Sequence, residues 1–348
     1  MFGVSLPYAK PVEWTTGGLE RQAHYLIVRI WDREGRQAAA EAVCRPAWNG
    51  MSQAGLAQLF IDVAWPVLTN GGPPSQIRDV KALSVLVDNL LADFGHGPET
   101  EAGHSAAGPA IFVATRGTPA EMAREAASAI ARGFGAVKLK LGQGLAVDEA
   151  VLAETRKAVG PRVVLCGDAN GAYGGYKADA VLAMAQEYGL DFIEDPRVLM
   201  PLRSSFDPLP YVDIPIVVDR YCDSLLAARQ YLELGHNRIA AKPARVGATE
   251  AAGMINAVAG SGGRAVIGLF GESSAGALAQ LRLGAEVDEA NLFGIEASFH
   301  EVLGETFLRF PLNVEDGRYA PPPTFHLAAA IDWEKLETLA DTKHSLKV

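Results

Sequence analysis

Residues 163–196 have the sequence VVLCGDANGAYGGYKADAVLAMAQEYGLDFIEDP, and this stretch decides the fold. It contains two short apolar runs, at 163–166 and 190–193, on either side of a helix-like segment at 177–188. Both runs are continuous rather than alternating, which is typical of parallel strands that are covered on both faces. A strand, a helix and a second strand in this order predict a right-handed parallel crossover.

The same unit recurs along most of the chain. Eight short runs rich in Val and Ile lie at 110–115, 136–141, 163–166, 190–193, 214–218, 238–242, 265–270 and 292–296. Helix-like stretches between them lie at 118–133, 146–159, 177–188, 223–234, 248–258 and 274–283. The first begins with Thr118-Pro119-Ala120-Glu121, a capping box with proline at the first helical position. Eight such units favour a closed (β/α) barrel over an open doubly wound sheet, so the predicted fold class is α/β.

Residues 1–108 do not share this rhythm, and they predict a separate α+β domain. Its predicted elements are strands at 23–31 and 37–43 with a turn at 32–35, and helices at 53–68 and 77–94. Residues 95–108, with four glycines, two histidines and a proline, predict a linker. We expect the barrel to occupy 109–310. The tail at 311–348 is predicted to leave it as irregular surface chain that returns toward the first domain.

Composition restricts the class of protein. The 348 residues carry a net charge of −10, which argues against a nucleic acid or an anionic membrane as partner. Cys44, Cys166 and Cys222 form no C-x-x-C pair, so we expect reduced thiols in a cytoplasmic protein. No apolar run approaches the roughly 18 residues that span a bilayer. Residues 1–10 lack the pattern of a signal peptide, and the histidines show no metal-ligand spacing.

Charged residues end several of the predicted strands, where the chemistry of a barrel is located. Lys138 and Lys140 are two residues apart on the second strand and therefore point to the same face. Asp168, Glu194 and Asp219 follow the next three strands, at gaps of 26 and 25 residues. Taken singly, the lysines fit a solvated edge strand and each acid fits a turn or helix cap. Together, three acids at one barrel mouth would repel one another, so the pattern predicts a divalent cation. Oxygen ligands without Cys or His favour Mg²⁺ or Mn²⁺ over Zn²⁺.

Lys242 ends the sixth strand, 23 residues after Asp219. Taken alone it fits a surface lysine in a loop, but beside the acids we expect it to reach the pocket from the side opposite the second strand. A lysine beside a metal ion and another cation has a depressed pKa, which suits a base near neutral pH, and Lys138 is placed to act in this way on Lys140. These groups suit abstraction of a proton α to a carboxylate, because a metal ion stabilises the enediolate that forms.

These residues resemble the enolase superfamily, in the subgroup of muconate cycloisomerase, o-succinylbenzoate synthase and N-acylamino acid racemase. The matching motifs are Lys138-Leu139-Lys140, Asp168-Ala169-Asn170, Ile193-Glu194-Asp195-Pro196, Val218-Asp219 and Lys242. The resemblance implies a modified TIM barrel of the (β/α)7β kind behind an α+β capping domain. It implies that Asp168, Glu194 and Asp219 bind Mg²⁺. It also implies that Lys140 and Lys242 are acid/base groups on opposite faces of the substrate, with Lys138 polarising.

The resemblance also extends to segments that would contact a substrate. The stretch at 242–247, KPARVG, is similar to the K-P-G-R-V-G stretch of the synthase and racemase branch. Residues 13–17 and 46–50 resemble two loops that close over the substrate, and 271–274 resembles a segment whose Glu lines the pocket. The implied substrate-binding residues are Asn170, Glu272, Trp48 and Thr16. Ordinary packing of Trp14 and Trp48 at the domain interface, or a helix-cap role for Glu272, explains these residues equally well. A small carboxylate substrate and a homo-oligomer are implied as partners.

Departures from the family pattern leave the reaction open. Arg220 stands where the family has Glu, Gly247-Ala248 replaces a double glycine, and the helix before the first barrel strand is missing. The His–Asp dyad of mandelate racemases has no counterpart, and Phe-Gly-Ile-Glu at 293–296 replaces the D-x-D of dipeptide epimerases. A cycloisomerase of the muconate lactonizing type, an o-succinylbenzoate synthase and an N-acylamino acid racemase all remain. From other classes, a Schiff-base aldolase acting through Lys242 and a non-catalytic binding protein are the alternatives.

Overall fold

The computed structural model describes residues 1–15, 18–77, 80–95, 108–206 and 213–347. The linker predicted at 95–108 lies outside the described residues except at its two ends. Within the described ranges, no helix combines the length and the apolar character that crossing a membrane requires.

The first domain is built on an antiparallel sheet. Its strands β1 (Phe2–Trp14), β2 (Gly18–Trp31) and β3 (Gln37–Val43) lie side by side in chain order. Asp32 stabilises the predicted turn between β2 and β3, because its side chain accepts the backbone N–H of Arg36 at 2.8 Å. Strand β1 was not predicted. Proline is unfavourable within strands, and the pairing of β1 with β2 shifts register between Pro7 and Val12.

Helices pack on this sheet. They are α1 (Pro46–Asn49), α2 (Gln53–Leu59), α3 (Trp65–Thr69) and α4 (Lys81–Gly95). Apolar side chains of α2 and α4 form a core with β2 and β3. The helix predicted at 53–68 is confirmed, and Phe60–Ala64 forms a π-helical turn within it, between α2 and α3. The helix predicted at 77–94 begins only at Lys81, after a 3-10 turn.

All eight strands predicted for the barrel are present. They are β4 (Ile111–Ala114), β5 (Ala136–Lys140), β6 (Val164–Asp168), β7 (Phe192–Glu194), β8 (Ile216–Val217), β9 (Arg238–Ala241), β10 (Arg264–Ile267) and β11 (Leu292–Ile295). The helices between them are α5 (Pro119–Ala131), α6 (Leu145–Val159), α7 (Tyr176–Glu187), α8 (Leu225–Glu233), α9 (Pro243–Val246), α10 (Ala248–Ala259) and α11 (Ser274–Glu286). The capping box at Thr118 is confirmed, since its side chain and that of Glu121 bond to each other's backbone N–H.

These strands close into a barrel. β4 to β8 pair in parallel as one run and β9 to β11 as another. Two parallel bridges join the runs, one between Val218 and Ile239 and one between Ala110 and Ile295. After β11 the chain continues as a one-turn 3-10 helix, Phe299–Val302. The predicted α/β fold, a modified TIM barrel preceded by a capping domain, is therefore confirmed.

The tail is not irregular, contrary to the prediction. It contains β12 (Val314–Glu315), β13 (Arg318–Tyr319), α12 (Leu327–Ala330), α13 (Trp333–Leu339) and β14 (Ala340–Lys343). Asp332 caps α13 by accepting the backbone N–H of Lys335 at 3.1 Å. β14 pairs antiparallel with β1 as the fourth strand of the first sheet. The domain boundaries at 108 and 310 stay predictions.

A buried acid joins the capping domain, the barrel and the tail. Asp93 of α4 is fully buried and accepts the backbone N–H groups of Ala39, Leu327 and Ala328 at 2.8, 2.7 and 3.2 Å. Arg282 of α11 donates to the same carboxylate at 2.9 Å. The junction therefore has its own ion pair.

Candidate active site

Three strand ends lie at one level of the barrel. β5, β6 and β7 run parallel, and their register places Lys140 opposite Asp168 and Asp168 opposite Glu194. Asp219 follows β8, and Lys242 follows β9 directly. Because parallel strands of a barrel end at the same face, these five side chains converge at its carboxyl end.

The three acids are buried and do not titrate alike. Burial, and then repulsion by Asp168, raises the pKa of Glu194 well above its ordinary value. Burial also acts to raise the pKa of Asp219, but Lys242 and Arg245 outweigh it and hold that pKa below the ordinary value. The acids are therefore close enough to perturb one another.

Three lysines surround the acids. Lys138 is fully buried and donates to Glu194 at 2.5 Å and to Glu296 at 2.6 Å, with Asp168 at 3.8 Å. Lys140 Nζ lies 2.5 Å from Asp168 Oδ2. Lys242 Nζ lies 2.5 Å from Asp219 Oδ2 and 4.0 Å from Glu194 Oε1. Lys140 and Lys242 are thus paired with the two outer acids, and Glu194 lies between these acids in the strand order.

The depressed pKa that the sequence predicts for Lys242 beside a metal ion stays a prediction. Burial lowers the pKa of Lys242, but Asp219 and then Glu194 raise it above the ordinary value. Lys138 behaves in the same way, because Glu194 and Glu296 outweigh its burial and raise its pKa well above the ordinary value. The prediction assumed a metal ion beside the lysines, and the acids on their own have the opposite effect.

The acids fit a hard divalent cation. Glu194 Oε1 is buried and has no hydrogen-bond partner among the described residues. The donor set of Asp168, Glu194 and Asp219 is entirely carboxylate oxygen, which Mg²⁺ and Mn²⁺ prefer. In the described ranges no three Asp, Glu, His or Cys side chains are already arranged to hold a metal ion. The ammonium groups of Lys140 and Lys242 instead bond to the oxygens of the two outer acids.

A cavity of about 590 Å³ lies between these groups and the capping domain. Its barrel side is polar and includes Lys140, Asp219 and Lys242. Aromatic rings also line the cavity; they are Trp14 and Trp48 of the capping domain and Phe270 and Phe299 of the barrel. The centroids of the Trp14 and Trp48 rings are 4.6 Å apart, and the Phe270 ring lies 5.4 Å from that of Trp48. The cavity therefore suits a small molecule with an anionic and an apolar end.

The residues predicted to bind substrate differ in where they lie relative to the cavity. Asn170 lines the cavity, donates to Asp168 at 3.0 Å and accepts from Thr15 at 3.0 Å, which ties the first capping loop to the barrel. Trp48 lines the cavity too. Thr16 lies outside the described residues. Glu272 is not among the described residues that line the cavity, contrary to the expectation, because its carboxylate turns back to the N–H of Phe270 at 2.7 Å.

Three further charged residues were not assigned from the sequence. Glu296 accepts from Lys138, and it follows β11 at the phase of the other acids, so the repeat itself contained a signal for it. Arg245 donates to Asp219 at 2.8 Å from the short helix after Lys242. Arg45 is buried in the capping domain between Trp14 and Trp48, and no sequence spacing indicated this contact.

Curated relatives align with parts of the chain. The Arabidopsis thaliana protein PHYLLO, chloroplastic, is 28% identical over 61% of this chain and 13% of its own length. The hydrophobic dipeptide epimerase of Roseobacter litoralis is 32% identical over 47% of this chain and 48% of its own length. The L-Ala-D/L-Glu epimerase of Bacillus subtilis is 28% identical over 78% of this chain and 75% of its own length. The chain thus spans less than half of the first two relatives.

Solved structures share the fold over nearly the whole chain. A substrate-liganded L-Ala-D/L-Glu epimerase from Bacillus subtilis has a TM-score of 0.82 at 20% identity and covers 93% of this chain and 96% of its own. A muconate lactonizing enzyme from Pseudomonas fluorescens, complexed with muconolactone, has a TM-score of 0.82 at 17% identity and covers 97% of both chains. A dipeptide epimerase from Cytophaga hutchinsonii, complexed with Mg and D-Ala-L-Val, has a TM-score of 0.75 at 18% identity and covers 94% of this chain and 93% of its own.

A family model described as Enolase C-terminal domain-like matches residues 121–335, which is more than half of the chain. This range holds all three lysines and all three acids of the site. The protein therefore belongs to the enolase superfamily.

Proposed function

We propose that the protein abstracts the proton α to the carboxylate of a small substrate in a Mg²⁺-dependent reaction, and that Lys140 and Lys242 exchange this proton. One observation carries the proposal. Three buried acids lie at neighbouring strand ends, and the two lysines that pair with the outer acids line a cavity together with Asp219. Superfamily chemistry of this kind uses a lysine or histidine base to form an enediolate.

Asp168, Glu194 and Asp219 would hold the cation. When bound, Mg²⁺ supplies positive charge that stabilises the substrate carboxylate as it gains electrons. Glu194 bears on this assignment because its Oε1 is buried and has no hydrogen-bond partner among the described residues. Mn²⁺ has the same ligand preference and is an acceptable substitute.

The lysines would carry the proton. As the C–H bond at the α carbon breaks, its electron pair moves into the carboxylate and an N–H bond forms on the neutral amine of one lysine. Lys140 and Lys242 are paired with acids on strands two apart, so they can serve opposite faces of a substrate that lies between them. Lys138 is fully buried and donates to two acids, so it would hold the Glu194 and Glu296 carboxylates in place.

The overall reaction that we propose is a cycloisomerisation of the muconate lactonizing type or a related isomerisation. A muconate lactonizing enzyme shares the fold over 97% of this chain. The D-x-D of dipeptide epimerases is absent from 293–296, so a dipeptide is a weaker candidate despite the epimerases among the relatives. An o-succinylbenzoate synthase or an N-acylamino acid racemase shares the same first half-reaction and differs in what the capping loops hold.

Deuterium exchange tests the proposal without prior choice of the overall reaction. We expect the protein with Mg²⁺ in D₂O to exchange the α proton of at least one member of a panel of muconolactone, succinylbenzoate precursors, N-acylamino acids and dipeptides. Chelation should stop the exchange. Lys140→Ala should abolish it on at least one substrate face, while Lys157→Ala, at an exposed lysine on α6, should leave it unchanged.

Two results would refute the assignment. One is full exchange by Lys140→Ala, because a lysine that only balances Asp168 is not required for proton transfer. The other is turnover of a carbonyl substrate that survives chelation and is trapped on Lys242 by borohydride, because this is the behaviour of a Schiff-base aldolase.

A further inference from the structure

An arginine of the capping domain lies directly behind the aromatic side of the cavity. The Arg45 side chain is only 2% exposed, and its guanidinium carbon lies 4.0 Å from the centroid of the Trp14 ring and 4.3 Å from that of Trp48. Trp14 is the last residue of β1, where the first capping loop begins. Trp48 lies in α1, which belongs to the second capping loop. One side chain therefore contacts a tryptophan from each loop.

The polar contacts of Arg45 are fewer than its donors. Its Nη2 donates to the Tyr8 hydroxyl, and its Nε lies 3.5 Å from the Glu20 carboxylate, too far for a good hydrogen bond. Nε and Nη1 are buried without hydrogen-bond partners among the described residues. A desolvated guanidinium gains more from aromatic faces than one in water does, so the two tryptophan contacts account for much of its stabilisation.

The backbone also places Arg45 at the start of the second loop. Its carbonyl accepts the N–H groups of Trp48 and Asn49 at 2.9 and 3.0 Å, so a shift of Arg45 carries Trp48 with it. Trp14 in turn contacts Phe299 at a centroid distance of 5.1 Å, and Trp48 contacts Phe270. Both phenylalanines belong to the barrel side of the cavity. Arg45 thus lies where the two capping loops meet each other and the barrel.

We infer that Arg45 is a positioning residue that holds Trp14 and Trp48 as one aromatic roof over the cavity, so that residues 10–15 and 46–50 open locally as one unit. A lysine cannot replace it, because an ammonium group lacks the planar guanidinium that contacts both rings. The inference rests on the proposed function only in naming the cavity as the substrate site.

Hydrogen–deuterium exchange of the substrate-free protein tests this coupling without any assay of catalysis. In Arg45→Lys we expect amide exchange to become about tenfold faster in 10–15 as well as in 46–50, since stacking on two rings no longer opposes local opening. Because coupling is reciprocal, Trp48→Leu should also accelerate exchange in 10–15.

The chain offers a matched control. Arg29 stacks on Trp31 and Trp333 at 4.7 and 4.3 Å, and neither ring is among those that line the cavity. Arg29→Lys should leave exchange in 10–15 and 46–50 unchanged. Should Arg45→Lys fail to fold, Tyr8→Phe removes only the hydroxyl that accepts from Arg45 and should give a smaller rise in both segments.

Acceleration confined to 46–50, or absent from both segments, would overturn the inference, because a purely local role would loosen only the loop that contains residue 45. Where a panel carboxylate exchanges its α proton, Arg45→Lys should raise KM more than it lowers kcat. A loss of kcat at unchanged KM would also contradict a positioning role. If no panel compound exchanged its α proton, this would count against the proposed function. The amide-exchange result for residues 10–15 and 46–50 would still hold.

Discussion

Replacing Glu41 by Gln should remove a large part of the pH dependence of stability. Glu41 lies on β3 of the capping domain and is 6% exposed, and it accepts the backbone N–H of Ser273 in the barrel at 3.0 Å and also the Ser273 hydroxyl. Burial raises the pKa of Glu41 from 4.5 to about 8. The folded protein therefore keeps a proton on this residue at neutral pH, whereas the unfolded chain releases it.

The size of the effect follows from proton linkage. The folded state binds more protons than the unfolded state between the unfolded pKa of 4.5 and the folded pKa of about 8. The stability contributed by protonated Glu41 is thus fully present below this window and is lost as pH rises through it. Each pKa unit corresponds to about 1.4 kcal/mol, so the whole window is worth at most about 5 kcal/mol. Glu272, whose burial raises its pKa to about 7, adds a loss of the same sign.

Urea denaturation between pH 5 and pH 9 measures this directly. The slope of the unfolding free energy with pH should be shallower in Glu41→Gln by about 1.4 kcal/mol per unit inside the window, because one titrating proton is gone. The Gln amide can donate to the Ser273 hydroxyl as a protonated acid does, so the variant should match or exceed the wild type at pH 8. Parallel slopes for the two proteins would refute the reasoning, because they would mean that Glu41 is already ionised in the folded state.

Two other predictions concern the junction and the cation. Asp93→Ala should lower the unfolding free energy by about 3–5 kcal/mol, because it leaves Arg282 and three N–H groups buried without their partner. Asp62→Ala, at an exposed acid, should change the unfolding free energy little. Equal losses for the two variants in urea denaturation would contradict the role of Asp93. Mg²⁺ at about 100 times its dissociation constant should stabilise the protein by about 2.7 kcal/mol in thermal unfolding. Glu194→Gln should weaken that shift, and an unchanged shift would place the cation elsewhere.

Much of the barrel was predictable because its strands carry their own signal. A run such as 163–166 is apolar without alternation, so a few neighbouring residues are enough to indicate that both faces of the strand are buried. Strand β1 was missed for the opposite reason. Pro7 and Pro11 weaken its local preference, and it is stabilised by pairing with β2 and with β14 from the far end of the chain. The tail was misjudged because Pro321-Pro322-Pro323 describes only the segment before α12.

Site residues could be predicted from the sequence only where they end a strand of the strand–helix repeat. Asp168 and Glu194 end consecutive strands, and the register places them opposite each other. Glu272 was also predicted from its position after a barrel strand, but its carboxylate accepts the N–H of Phe270. The direction of this side chain depends on the backbone geometry after β10, which the repeat does not specify. Arg45 had no signal at all, because its two tryptophans come from separate loops.

The charges of the site explain why cation and substrate are expected to bind together. Four acids and four basic groups of the described chain form one ion-pair network; the acids are Asp168, Glu194, Asp219 and Glu296, and the basic groups are Lys138, Lys140, Lys242 and Arg245. If all eight were ionised the network would be neutral, so a dication alone would leave a buried excess of positive charge. Charge of this kind is costly where water is excluded. A substrate carboxylate removes one unit of the excess, and loss of a proton from Lys140 or Lys242 removes the other. Under the proposed function, the positive charge that the cation brings would thus be offset when one lysine becomes the neutral base.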